Sequence, residues 1–231
     1  MDNIRFLNNK RIFAFTSKDQ MLDYIDGKKK ILVALNAEKL NRKESPLDDI
    51  INRNIGYPDG VGAVLALKRK GLKSIKIAGA EFWLDIIERY SSSKSFYLIG
   101  SKEEVIQKTI TKLKEDFPDV NIVGYRNGYF KPEDEAKLIQ DFKKKKPKVI
   151  FVAMGSPKQE YLLAGFLEEY PALYMGLGGS FDVYCGLKNR APRVYQKFGL
   201  EWLYRLLKEP TRWRRQVNLL AFAIKIIFNK I

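Results

Sequence analysis

Short apolar or β-branched runs alternate with longer amphipathic stretches along most of this chain, and that alternation leaves few folds open. Strands are expected at Ile12–Phe15, Ile31–Leu35, Ile75–Ala78, Phe96–Ile99, Asn121–Tyr125, Val149–Met154 and Leu173–Leu177. Helical patterns fall between them, at Lys18–Ile25, Glu38–Arg53, Val61–Lys70, Glu81–Tyr90, Glu103–Phe117, Glu133–Lys145 and Lys158–Glu169, with Gly71, Pro118 and Pro147 punctuating their ends. Several of the short runs are apolar throughout, as in a parallel sheet covered on both faces. The pattern predicts an α/β class protein, a Rossmann-like parallel sheet layered with helices. After about Gly199 the signal is helical only, so a Rossmann-like domain over 1–198 and a helical appendage over 199–231 are expected.

In such sheets ligands bind outside the carboxyl ends of the strands. Asn36, Gly79, Gly100, Gly155 and Gly178 each follow a predicted strand, so one rim would gather glycines and polar groups. The richest stretch is Tyr174–Arg215. It opens as a strand, passes through the turn GLGGSFD and runs into a helix crowded with Arg and Lys. Gly178 and Gly179 let backbone N–H groups approach an anion, and arginines can clamp a diphosphate, so the pairing points to a phosphorylated ligand. GLGGSFD lacks full G-x-G-x-x-G spacing and follows the last strand, which counts against a dinucleotide site. Asp182 could hydrogen-bond a ribose or base, or cap the turn after it.

Chemistry is narrowed by what the chain lacks. It contains no histidine, which removes Ser-His and Cys-His dyads and His-ligated zinc. Cys185 is the only cysteine, so no intrachain disulfide or thiolate cluster forms, and its apolar neighbours suit packing. Acid–base work therefore falls to Asp, Glu, Lys, Tyr or the thiol. Asp59 lies in YPDGVG, where Gly60 and Gly62 expose its carboxylate and backbone; it is either a general base or the cap of the helix starting near Val61. Asn36, at a strand end, can hydrogen-bond in both senses or simply make a turn. Ser156-Pro157-Lys158-Gln159 reads as a capping box with Pro at the first helical position. Gly155 and Ser156 would put this helix N-terminus at a diphosphate. Arg205, Arg212 and Arg215, seven and three residues apart, share one helical face, although Pro210 bends the segment; a solvated basic face is the plainer reading.

Six segments occur in a telling order: NAE at 36–38, PDGVG at 58–62, GSPKQE at 155–160, GGSFD at 178–182, RAP at 190–192 and GLEWLYRL at 199–206. In these segments the chain resembles the WecG/TagA/CpsF glycosyltransferase family, over roughly residues 11 to 215. The resemblance implies that Asp59 is the catalytic base and that Asn36 lies at the active site. It places Gln159 in the pocket lining and brings Arg205, Arg212 and Arg215 over the site, against a departing UDP or a lipid-linked pyrophosphate. Lys76 stands where the family often has Arg, keeping the charge for a phosphate but losing the bidentate fork. Ala34 stands where the family often has Thr two positions before the asparagine, so one hydroxyl contact to the donor sugar is missing. Glu201, Trp202 and Tyr204 are expected to pack the appendage.

The implied reaction is an inverting, metal-independent transfer of an N-acetylhexosamine-type sugar, N-acetylmannosamine among them, from a UDP-sugar donor to a polyprenyl-diphosphate-linked saccharide acceptor. Teichoic-acid and other cell-surface polysaccharide synthesis use such enzymes. No cofactor and no metal are expected.

A net charge of +15, from 42 Lys+Arg against 27 Asp+Glu, favours a polyanionic partner, although lysine-rich surfaces also serve solubility. The N-terminus is polar and carries Asp2, unlike a secretory signal, and no run reaches the roughly 20 apolar residues of a spanning helix. From Gln216 onward VNLLAFAIKIIFNKI is mostly apolar, with Arg214, Asn218, Lys225 and Asn229 on one polar stripe. It would lie in an anionic membrane surface, placing the protein in the cytoplasm, peripheral on the inner face of the plasma membrane; a core helix or a homo-oligomer contact is the alternative. Nucleic acid is not the expected partner. A basic nucleic-acid-binding protein or a non-catalytic membrane scaffold remains the rival reading of the charge.

Overall fold

The computed structural model describes residues 3–189, 191–192, 194–195, 201–208, 219, 222–228 and 231. The strands are β1 (Ile4–Leu7), β2 (Lys10–Phe13), β3 (Ile31–Leu35), β4 (Ile55–Pro58), β5 (Ser95–Gly100), β6 (Asn121–Arg126), β7 (Val149–Ala153) and β8 (Leu173–Gly176). The helices are α1 (Lys18–Ile25), α2 (Ala37–Asn41), α3 (Ser45–Arg53), α4 (Val61–Arg69), α5 (Gly79–Tyr90), α6 (Glu103–Asp116), α7 (Glu135–Lys145), α8 (Lys158–Glu169), α9 (Ser180–Tyr184) and α10 (Glu201–Lys208). Six strands form one sheet in the order β4-β3-β8-β7-β5-β6, and its β3–β8, β8–β7, β7–β5 and β5–β6 pairs are parallel. With helices flanking the sheet, this is the α/β, Rossmann-like fold expected from the alternation.

The chain divides into two compact units. One comprises 18–33 and 79–188 and holds the parallel ladder. β7 reads VIFVA and is buried at every position, as a strand covered on both faces must be. Trp83 of α5 fills the core beside it, meeting the rings of Phe151, Phe181 and Tyr184 edge-on at centroid distances of 5.7, 5.6 and 5.2 Å. Phe142 of α7 meets Tyr97 and Phe166 in the same way at 5.0 and 5.3 Å.

The other unit comprises 1–17, 34–78 and 189–231. Here β1 and β2 form an antiparallel hairpin turned by Asn8 and Asn9, at φ 47° and 64°. Those are the left-handed values a two-residue hairpin turn needs, and Asn tolerates them. Lys10 of β2 is 1% exposed, with its Nζ 3.0 Å from Asp48 Oδ1 of α3 and donating to Arg42 O at 2.6 Å.

Three expectations change in this unit. Neither β1 nor β4 was foreseen. The stretch Glu38–Arg53 is not one helix: Pro46, which lacks an N–H, sits in the first turn of α3, and Arg42 is extended at ψ 134°. Ile75–Ala78 is not a ladder strand; its backbone makes single bonds, Ile75 N–H to Phe15 O at 2.8 Å and Ile77 N–H to Pro58 O at 2.9 Å.

Candidate functional site

In the unit that holds β4, the peptide joining Pro58 to Asp59 is pinned through both of its polar groups. Asp59 N–H donates to Leu35 O at 3.0 Å, and Pro58 O accepts from Ile77 N–H at 2.9 Å. The carboxylate-bearing residue is thereby fixed at the end of β3, beside Asn36. Gly60 follows at φ 130°, which an L side chain rarely adopts, and a Cβ built there would lie 3.9 Å from Asn36 Cβ. The N-cap of α4 is Gly60, with no side-chain capping bond, so Asp59 is not that helix's cap residue. Asp59 is half-buried.

Asn36 takes up the structural half of its two readings: its Oδ1 accepts from Lys39 N–H at 2.9 Å and caps α2. Lys76 Nζ lies 3.5 Å from Glu201 of α10, where an anionic ligand would compete for it. Tyr204 meets Tyr195 at 5.4 Å, while Trp202 is 39% exposed. Arg205 belongs to α10, but its side chain, together with Arg212 and Arg215, lies outside the described residues.

In the unit of the parallel ladder, the strand-end turns of β5, β7 and β8 meet. Leu177 N–H donates to Val152 O at 2.7 Å and Ser101 N–H to Ala153 O at 3.1 Å. Gly155 has φ 82° and Gly178 φ 61°, so both turns bend through the left-handed region. Gln159 is buried and braces them: its Oε1 accepts from Gly178 N–H at 2.9 Å, and its Nε2 donates to Glu160 Oε1 at 3.3 Å.

That bracing overturns the capping box expected at Ser156-Pro157-Lys158-Gln159. A capping box needs the Gln side chain to reach back to the cap, and here it is engaged at Gly178. The helix begins at Lys158 instead, with Pro157 in the cap position, no side-chain capping bond, and a cis peptide at Ser156–Pro157. Gln159 N–H still closes the first turn onto Gly155 O, at 2.9 Å. Gly79, expected in a rim loop, is the buried first residue of α5.

Gly179 precedes α9, which carries Asp182. One oxygen of Asp182, Oδ2, accepts from Ser101 Oγ at 3.0 Å; the other, Oδ1, lies 3.6 Å from Nζ of the exposed Lys188. Tyr184 anchors the far end of α9 by donating to Asp116 Oδ2 at 2.5 Å. Burial foremost, and then this bond, push the Tyr184 hydroxyl well above its usual range, while the same bond holds the Asp116 carboxyl below its own.

Ser101 and Glu160 were not among the expected site residues. Ser101 directly follows Gly100 at a strand end, a position with the same signal as Gly155 and Gly178. Glu160 sits beside Gln159 in GSPKQE, where a charged residue buried to 3% exposure would not be foreseen from composition. Among the described residues, no three His, Cys, Asp or Glu side chains gather as metal ligands would, and Asp48 is engaged with Lys10.

Residues 5–231 match the family model described as the Glycosyl transferase WecG/TagA/CpsF family. The match spans the pinned PDG loop, the braced glycine turns and the residues after them, which is nearly the whole chain. The protein belongs to the WecG/TagA/CpsF family and is a glycosyltransferase.

Proposed function

We propose that this enzyme is an inverting glycosyltransferase that moves an N-acetylhexosamine-type sugar from a UDP-sugar to a polyprenyl-diphosphate-linked saccharide. Asp59 deprotonates the attacking acceptor hydroxyl, which then displaces UDP from the opposite face of the sugar. The observation that carries this reading is the fixing of Asp59. Its N–H is held by Leu35 O at 3.0 Å next to Asn36, it is not the cap residue of α4, and the chain has no histidine to take the same role.

Asn36 spends its Oδ1 on capping α2, so it would meet a ligand through its amide donors. The turns at Gly155–Ser156 and Gly178–Gly179 present backbone N–H groups to the nucleotide diphosphate. Lys76 exchanges Glu201 for phosphate oxygen. Arg205, Arg212 and Arg215 neutralise charge on the leaving UDP or hold the acceptor pyrophosphate. Cations thus fill the place a divalent metal takes in many sugar transfers. The protein acts as a peripheral enzyme at the inner face of the plasma membrane, in synthesis of teichoic acid or another surface polysaccharide.

The test is UDP release from a panel of UDP-sugars with a polyprenyl-diphosphate-GlcNAc analogue as acceptor, in buffer with and without EDTA. One donor should support turnover unaffected by EDTA. Asp59→Asn should lower that turnover by two or more orders of magnitude, the range of general-base loss, while UDP binding persists. Turnover by Asp59→Asn close to wild type would remove Asp59 from the chemistry. Loss of activity in EDTA, restored by magnesium or manganese, would overturn the metal-independent mechanism.

A further inference from the structure

Among the turns that follow β5, β7 and β8, Ser101 holds a left-handed backbone without being glycine. Its φ is 56°, a conformation costly for a residue with a Cβ and no side-chain amide. The surroundings fix it from three directions: its N–H donates to Ala153 O at 3.1 Å, its carbonyl accepts from Gly128 N–H at 2.8 Å, and its Oγ donates to Asp182 Oδ2 at 3.0 Å. Such strain persists where the surroundings over-determine it, and it gathers at functional sites. Glycine would make the same turn without strain, so the turn itself gives no reason for serine. The hydroxyl does: it is the only part of Ser101 that glycine lacks and that reaches another element.

What that hydroxyl holds is also informative. Asp182 is half-buried, and Ser101 occupies one carboxylate oxygen, so the other is left with Lys188, whose side chain is 68% exposed. A contact with so exposed a cation is weak and readily exchanged. Oδ1 is therefore the oxygen a ligand can claim. A carboxylate with one oxygen fixed and the other presented suits a vicinal diol, which donates two hydrogen bonds from adjacent hydroxyls. The turns around it, at Gly155 and Gly178–Gly179, carry the backbone donors suited to phosphate.

We propose that Ser101 is a positioning residue that aims Asp182 at the ribose hydroxyls of a nucleoside diphosphate. This rests on the nucleotide-dependent reading above and adds to it a residue acting through Asp182, not on the reacting atoms. Exchanging Lys188 for the diol leaves the Ser101 bond in place, so the carboxylate needs no reorientation when the nucleotide arrives. The strained serine is thus retained for ligand binding at the expense of the turn's own stability.

The test is calorimetric UDP affinity of the full chain in a double-mutant cycle, with 2′,3′-dideoxy-UDP as a second probe. Ser101→Ala and Ser101→Gly should each raise the Kd for UDP on the order of ten-fold, as loss of a charge-assisted bond would. Ser101→Gly should nevertheless melt above Ser101→Ala, because it relieves the backbone. In an Asp182→Asn background neither change should weaken UDP further, and the dideoxy nucleotide should bind wild type and variants alike. UDP binding by Ser101→Gly as tight as wild type would overturn the proposal, since the serine would then serve the turn alone. So would equal losses in the presence and absence of the Asp182 carboxylate. If wild type binds no UDP, it is the nucleotide reading beneath the proposal that fails.

Discussion

At Gly176 the space a side chain would fill is taken by Gln159. A Cβ there would stand 2.3 Å from Gln159 Nε2 and 2.8 Å from its Cδ, well inside contact. Gln159 is 4% exposed, and swinging its amide aside would give up Gly178 N–H at 2.9 Å. Gly176→Ala is therefore an overpacking change that also releases the glycine turn after β8, and it should cost about 1–3 kcal/mol in urea unfolding. In a Gln159→Ala background the same change should cost close to nothing, because the colliding amide is gone. Equal penalties in both backgrounds would show that the collision is with the strand and not with Gln159. The pair explains how Gln159, which caps no helix, braces two turns: its amide is polar enough to satisfy a buried backbone donor and long enough to cross between them.

Among elements, the contact of β2 with α3 depends on a charge that water scarcely reaches. Lys10 is 1% exposed, whereas its partner Asp48 is 22% exposed. The two halves of the pair are therefore unequal. Asp48→Ala leaves a buried ammonium with Arg42 O as its remaining acceptor, and should cost roughly 3 kcal/mol. Lys10→Met keeps the apolar stem; it strands the buried Asp48 Oδ1, but the partly exposed carboxylate can take up a proton or turn toward water, so it should cost less. Urea unfolding of both variants checks the order; a larger loss from Lys10→Met would place the energy in the lysine stem instead.

The same hairpin region marks where the sequence was hard to read. α1 and α8 lie at the bounds their apolar spacing predicted, because a 3.6-residue period is set within the segment itself. β1 and β4 have four residues each, too few for a period, and β4 reads IGYP, with two residues that ordinarily argue against a strand. Gly56 is tolerated there because a Cβ would lie 2.5 Å from Arg11 O, a close backbone approach that no single-sequence pattern announces. The glycine turns of the candidate site were legible since each follows a strand. Ser101 gains its meaning from Asp182, 81 residues away, and such a pairing exists only once the sheet is built.

Over the whole molecule, the question is how a strongly basic protein of +15 charge would meet the lipid-linked acceptor proposed for it. No helix among the described residues is long and apolar enough to cross a membrane. Residues 222–228 instead show two different faces. Phe222 is 1% exposed and lies 3.7 Å from a Cβ built at Gly62 of α4, and Lys225 Nζ donates to Asn41 Oδ1 at 2.5 Å, so one face belongs to the unit's core. Ile224, Ile227 and Phe228 are 55%, 67% and 67% exposed, at the three- and four-residue spacing of a single helical stripe. Deleting 216–231 would remove both faces together and strip α4 of Phe222, so a loss of membrane binding would be entangled with a loss of stability. Substituting Ile224, Ile227 and Phe228 by Ser separates them, because Phe222 and Lys225 stay. Each exposed side chain is worth about 1.5–3 kcal/mol when fully buried, so even partial insertion of three should change partitioning more than ten-fold. The triple variant should keep the wild-type Tm yet co-sediment at least ten-fold less with anionic liposomes, and the remaining binding should fall as salt rises, since only the cations then attract the surface. Unchanged co-sedimentation at a wild-type Tm would assign the stripe to another partner, and a concentration-dependent molecular mass lost in the same variant would identify that partner as a second copy of the chain.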